Sequence, residues 1–164
     1  MNNYKLPHFD NIDLDSIEDY YCVNIEFQGY TIQLDLNFEK DSSDKSSIDV
    51  VNGFIENLAD YSNKAHNAII NDFKTDETVR EYIEHHLEDI DIDELDILLI
   101  DTDKMLSTEE QLMSKFRLER IGFYPEDENE FAIFDYTIGR HVTNYLIVVK
   151  FDSKGSIVDL AMES

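Results

Sequence analysis

The sequence predicts an α+β fold, a mainly antiparallel sheet with three or four helices from the middle of the chain packed on one face. Three patterns carry that prediction. Residues 21–38 alternate apolar and polar with period two on either side of Gln28-Gly29, which marks an N-terminal hairpin. From Ser46 to Met113 the apolar side chains recur at helical spacing instead. From Phe116 to Ser164 four short strand-like runs follow with brief connections. Strands joined that closely pair antiparallel, because parallel neighbours need long crossovers. With 164 residues the chain is one domain by size, so residues 1–164 are read as a single unit.

Taken in order, Leu6-Pro7-His8-Phe9 with Ile12 and Leu14 makes an ordered opening segment, which Pro7 keeps out of a helix. In the hairpin, Tyr21, Val23, Ile25 and Phe27 share a face, as do Tyr30, Ile32, Leu34, Leu36 and Phe38. The opposite face is polar and is expected in water, with Asp35 and Asn37 on the wet side. After the polar loop 39–45, Ser46 or Ser47 is expected to cap a helix. Its stripe runs Val51, Phe54, Ile55, Leu58, Tyr61, Ala65, Ile69 and Phe73, with a kink or break expected near Gly53 or Tyr61-Ser62-Asn63. Thr75 or Asp76 caps the next helix, which turns Val79, Tyr82, Ile83, His86, Leu87 and Ile90 inward. A short third helix is expected from about Ile92 to Ile100, although Ile97-Leu98-Leu99-Ile100 also suits a buried strand. Ser107-Thr108-Glu109-Glu110 is a capping box opening a last short helix with Leu112 and Met113.

In the C-terminal third, Phe116 and Leu118 are in phase and the phase then shifts to Ile121 and Phe123, predicting a β-bulge beside Gly122. Phe131–Tyr136 and Tyr145–Phe151 are apolar on both faces, as strands covered on both sides are. Asp152-Ser153-Lys154-Gly155 supplies a turn with Gly155 at positive φ. On the return strand Val158, Leu160 and Met162 point one way, and Asp159 and Glu163 the other.

Charge is the most uneven property of the chain: 37 acids against 13 bases give a formal −24. That balance repels nucleic-acid phosphates and anionic lipid, so neither nucleic acid nor membrane is an expected partner, while basic proteins or cations are favoured. A plainly solvated acidic surface fits the same count. The sequence shows no apolar N-terminal segment of signal-peptide type and no run long enough to span a bilayer. Cys22 is the lone cysteine and cannot make an internal disulfide. A cytoplasmic location follows as the expectation. Cys22 shares the less apolar strand face with Asn24, Glu26 and Gln28 and reads as an ordinary thiol.

The densest charge comprises Glu88, Asp89, Asp91, Asp93, Glu94, Asp96, Asp101 and Asp103, with no base between them. Carboxylates at this density are candidate ligands for a divalent cation, but the EF-hand spacing fails. Counting from Asp89, Glu94 stands where glycine is needed and Ile100 where a bidentate acid is needed. An acidic rim facing a partner is the favoured reading. His85 and His86 are adjacent, so on a helix they diverge by about 100° and cannot form an i,i+4 metal pair. Glu81 precedes His85 by one turn without making a zinc-protease motif. His86 falls on the apolar stripe, as a hydrogen-bonded core or interface histidine would, and His8, His66 and His141 have no local partner pattern. Asp135, between Phe134 and Tyr136, needs a partner, for which Arg117, Arg120 and Arg140 are candidates in a structural ion pair. No Gly-rich phosphate loop, nucleophile elbow or Cys-x-x-Cys pair is present, so no catalytic, cofactor-binding or metal residue is assigned and no cofactor is expected.

Several segments together resemble a family of small bacterial proteins known only as a domain of unknown function. They are Leu6-Pro7-His8-Phe9, Arg120-Ile121-Gly122-Phe123-Tyr124-Pro125, Phe134-Asp135-Tyr136, Thr143-Asn144-Tyr145-Leu146-Ile147-Val148-Val149 and Met162-Glu163-Ser164. The resemblance covers nearly the whole chain and implies a cytoplasmic bacterial protein, with no catalytic residues carried over. Small acidic proteins of this type often serve as immunity proteins that neutralise secreted toxins, an analogy of size, charge and architecture. The leading expectation is thus a non-catalytic domain whose acidic rim docks a basic protein, with Tyr20, Tyr30 and Tyr124 as candidate anchors. The alternatives are a divalent-cation-responsive module using residues 88–103 and an enzyme with a dispersed site.

Overall fold

The computed structural model describes residues 2–75 and 77–164. Its chain opens with a small hairpin, β1 (Asn3–Leu6) and β2 (Asp10–Asp13). Strands β3 (Tyr20–Phe27) and β4 (Tyr30–Asn37) follow, then helices α1 (Lys45–Glu56), α2 (Leu58–Lys74), α3 (Thr78–Asp89), α4 (Ile92–Leu98) and α5 (Thr108–Met113). Strands β5 (Arg117–Phe123), β6 (Ala132–Thr137), β7 (Leu146–Phe151) and β8 (Ile157–Glu163) complete the chain. Strands β3 to β8 form one six-stranded sheet in sequence order. The pairing is antiparallel except between β4 and β5, which run parallel. The helical segment is the long crossover which that parallel join requires. This is the predicted α+β architecture, with helices from the middle of the chain on one sheet face.

Register explains the core. Leu34, Ile121, Phe134, Val149 and Leu160 stand in one row across five strands, and Leu36, Phe123, Ala132 and Phe151 in another. The helices lay Phe54, Ala65, Ile69 and Tyr82 into the same buried cluster. The Phe54 ring lies 6.0 Å from that of Phe123 and 5.9 Å from those of Phe131 and Phe151. Truncating an aromatic so enclosed costs about 3–5 kcal/mol. Among the described residues no helix is long and apolar enough to cross a membrane.

Several local expectations shift. The α1 cap is Asp44, not Ser46 or Ser47. Its Oδ1 accepts from Ser47 N at 2.9 Å and from the Ser46 hydroxyl at 2.7 Å. The break falls at Asn57, between the two expected places, where the Asn57 amide donates back to Gly53 O at 2.8 Å. Thr75 does not cap α3; its hydroxyl donates to Asp72 O at 2.9 Å, and Asp72 Oδ1 accepts from Val79 N at 2.6 Å. The other expected cap, Asp76, lies outside the described residues. Residues 92–98 are helical, which removes the strand alternative. Ser107 Oγ accepts from Glu110 N at 3.1 Å, as its capping motif predicts.

The β5 bulge lies between Leu118 and Arg120, not at Gly122. The extra residue is Glu119, and the slip turns Arg120 onto the face away from the helices. A second register shift, between Lys150 and Phe151, pairs Phe151 with Ile157. Val158 therefore leaves the Leu160–Met162 face and is 48% exposed, while Ile157 packs against the core. The turn before it has Gly155 at φ 82°, as expected.

Candidate functional site

Two assemblies stand out from the sheet and helices. The first lies on the sheet face opposite the helices. Cys22, Asp35 and Gly122 share one cross-strand row, and Gln33, Arg120 and Asp135 the next. Asp35 lies on the expected face but not in water, for its exposure is 0%. Arg120 covers it, donating from Nε to Oδ2 at 2.6 Å and from Nη2 to Oδ1 at 3.0 Å. Asn37 Nδ2 donates to Oδ1 at 2.7 Å, while Gln33 Nε2 and the Tyr20 hydroxyl donate to Oδ2 at 3.1 and 3.2 Å. Gly122 makes room for the guanidinium: a Cβ there would lie 2.8 Å from Arg120 Nη2 and 3.1 Å from Asp35 Oδ1.

Arg120 also donates from Nη1 to Asp135 Oδ2 at 3.2 Å, so it is the partner Asp135 needs. Burial pushes the Asp135 carboxyl up from its ordinary value. The Arg120 charge pulls it back, and Glu163 and Asp35 raise it again, leaving it raised. Burial works against the Arg120 charge, but the bonds to Tyr124 and Asp35 and the two aspartates outweigh it and keep the guanidinium protonated. The Tyr20 phenol is pushed up to about 12, first by desolvation and then by its Cys22 and Asp35 neighbours. Asp35 receives donors at both oxygens and faces a bidentate cation, which is how a buried carboxylate is made tolerable. This cluster holds β4, β5 and β6 together.

The second assembly is α4 with the turn after it. Glu88, Asp89, Asp91, Asp93, Glu94, Asp96, Asp101 and Asp103 are all exposed. Among the described residues Asp101 is the member with a salt bridge, to Lys115 at 3.0 Å, and the Lys115 hydrogen bond and charge hold its carboxyl below the ordinary range. Between these acids the chain presents Ile92, Ile97 and Ile100, and just after them Met105, which are 74%, 73%, 76% and 93% exposed. The sequence reading placed the acids and missed this apolar exposure. A signal was available: four apolar residues in a row, Ile97 to Ile100, exceed the single stripe that a short helix can bury. Leu98 and Leu99 take the inward positions, so their neighbours face out.

The turn carrying these side chains is firmly tied. The Thr102 hydroxyl reaches Leu99 O at 2.6 Å and Gln111 Oε1 at 2.8 Å, and Gln111 Nε2 donates to Leu106 O at 3.1 Å. Lys104 Nζ donates to Leu99 O and lies 3.3 Å from Gln111 Oε1, a cation at the C-terminal end of α4. Beside α4 opens a groove of about 570 Å³ with Asp93, Glu94, Ile97, Ile100 and Asp101 on one side. Lys115, Arg117 and the residues from Ile138 to Val142 line it too, together with Tyr30. The Arg117 guanidinium sits 4.9 Å from the centre of the Tyr30 ring.

Of the three tyrosines read as anchors, Tyr30 alone lies here, half exposed. Tyr20 and Tyr124 belong to the Arg120 cluster. A more polar recess of about 630 Å³ lies near Asn37 and Tyr124, but its Glu126 accepts from the amides of Glu39 and Lys40 and so closes a loop. His86 is the expected core histidine, 2% exposed, with both ring nitrogens bonded, to Tyr82 O at 2.7 Å and Thr143 Oγ1 at 2.8 Å. Among the described residues no three of His, Cys, Asp and Glu are placed to hold a metal ion.

Fold and surface together define an acidic α+β domain with an exposed apolar patch set among carboxylates. Compared with known proteins, the chain matches no family model, no curated protein and no solved structure.

Proposed function

We propose that this chain is a non-catalytic protein-binding domain that docks a basic partner on its α4 surface, as an immunity-type protein would hold a basic toxin. The observation that carries this reading is the exposure of Ile92, Ile97, Ile100 and Met105 among eight acids on a tied scaffold. Nothing in the isolated fold gains from holding those side chains in water. Burying each against a partner contributes about 1.5–3 kcal/mol before association costs. The surrounding carboxylates speed encounter with a cationic protein and repel acidic ones. A bacterial, cytoplasmic setting belongs to the same reading, in line with the family resemblance and the lone thiol of Cys22.

The test is a pull-down from the native cells at low salt, with wild type and with Ile97→Glu/Ile100→Glu. Wild type is expected to retain a basic protein whose association slows as salt rises, and the double variant to lose it. Recovery of no basic protein, or equal recovery by both, would overturn the reading.

A further inference from the structure

The groove beside α4 has a specific chemistry that the charge of the rim alone does not specify. Its lining includes the apolar side chains of Ile97, Leu98, Ile138 and Val142. Two carboxylates that line it, Asp93 and Glu94, have no cation within salt-bridge distance among the described residues, whereas Asp101 is shared with Lys115. Of the cations that line the groove, Lys115 is paired with Asp101, and Arg117 rests on the neutral Tyr30 ring and keeps its charge. An entering segment thus meets aliphatic side chains and, with the three carboxylates Asp93, Glu94 and Asp101 against the two cations Lys115 and Arg117, a net negative lining. The −24 that each copy carries opposes a second copy of the chain as the occupant and favours a cationic one.

We infer that the groove receives a protein segment in which adjacent aliphatic side chains are flanked by lysine or arginine. The aliphatic pair lies against Ile97 and Ile100, and the flanking cations meet Asp93 and Glu94. This inference rests on the basic-partner reading and adds to it the place and the motif. Val158, 48% exposed on β8, lies outside both the groove and the α4 patch and serves as a control.

The probes are three capped peptides, Lys-Lys-Leu-Leu-Lys-Lys, Lys-Lys-Ser-Ser-Lys-Lys and Glu-Glu-Leu-Leu-Glu-Glu, titrated into the full chain at low salt and followed by amide chemical shifts. The leucine–lysine peptide is expected to bind at least about tenfold tighter than the serine–lysine one, the discrimination an apolar pocket gives for a few methylenes. It should shift the amides of Ile97, Ile100 and Val142. Ile97→Ala/Ile100→Ala should erase that tenfold gap, while Val158→Ala keeps it. Ile97 and Ile100 are largely exposed and Val158 is half exposed, so neither variant threatens folding. Equal binding of the two lysine peptides along α4 would overturn the groove and leave the basic-partner reading standing. Absence of any α4 shift with either would overturn both, and tight binding of the glutamate peptide would overturn the charge rule.

Discussion

Asp35 shows how one side chain can obey its strand's alternation and still escape the environment that alternation implies. Parity puts it on the sheet face away from the helices, and there it lies, yet Arg120, 85 residues distant in sequence, shuts it from water. Nothing in the period-two pattern of β4 encodes that cover. Gly122 is the residue that allows it, because the guanidinium crosses the place where its Cβ would be. Propensity alone predicts that Gly122→Ala stabilises a strand by roughly 0.5–1 kcal/mol. The contacts at 2.8 and 3.1 Å predict the reverse sign, because both carboxylates pin the guanidinium: a loss of about 1–3 kcal/mol by urea denaturation. A gain in stability would show that Arg120 moves aside freely and that the cluster is not held as described.

At the scale of elements, helix capping was half legible. Ser107 follows its motif, whereas α3 takes its cap from Asp72 on the preceding helix, a contact set by how α2 and α3 meet. Helix α3 is in turn latched to the β6–β7 connection through His86 and Thr143. With Nδ1 donating to the Tyr82 carbonyl, Nε2 accepts from the Thr143 hydroxyl, an arrangement that needs the neutral ring. Burial lowers the His86 pKa from 6.5, the Tyr82 carbonyl raises it, His85 lowers it and Asp89 raises it, with a net lowering. A depressed value means that the unfolded chain takes up the proton first. The histidine's contribution is therefore complete above 6.5 and is lost as pH falls through the folded-state value. Melting temperature should decline in wild type as pH falls from 6.5 through the lower folded-state value, and less steeply in His86→Gln. Parallel pH profiles would remove the latch.

For the molecule as a whole, the net charge of −24 is a standing cost to compactness. Of the eight acids around α4, seven have no salt-bridge partner among the described residues, so their mutual repulsion is softened mainly by solvent ions. Raising sodium chloride from about 20 to about 500 mM should raise the melting temperature and then level off, as screening shortens the reach of each charge below about 5 Å. A steady fall with salt would mean that the ion pairs, not the repulsion, dominate. Calcium at matched ionic strength is expected to add nothing further, and a calcium-specific gain would favour the cation-responsive alternative.

The sequence by itself determined the class of fold, the strands from Tyr20 onward, the helical character of the middle of the chain, the place of the acids and the inward side of His86, but not the β1–β2 hairpin. Each of these depends on periodicity or on neighbours within a turn. Tertiary structure alone decided the burial of Asp35, the outward turn of Ile97 and Ile100, and the separation of Tyr30 from Tyr20 and Tyr124. Those outcomes depend on which distant segment covers a given face, and residue spacing carries no measure of that cover.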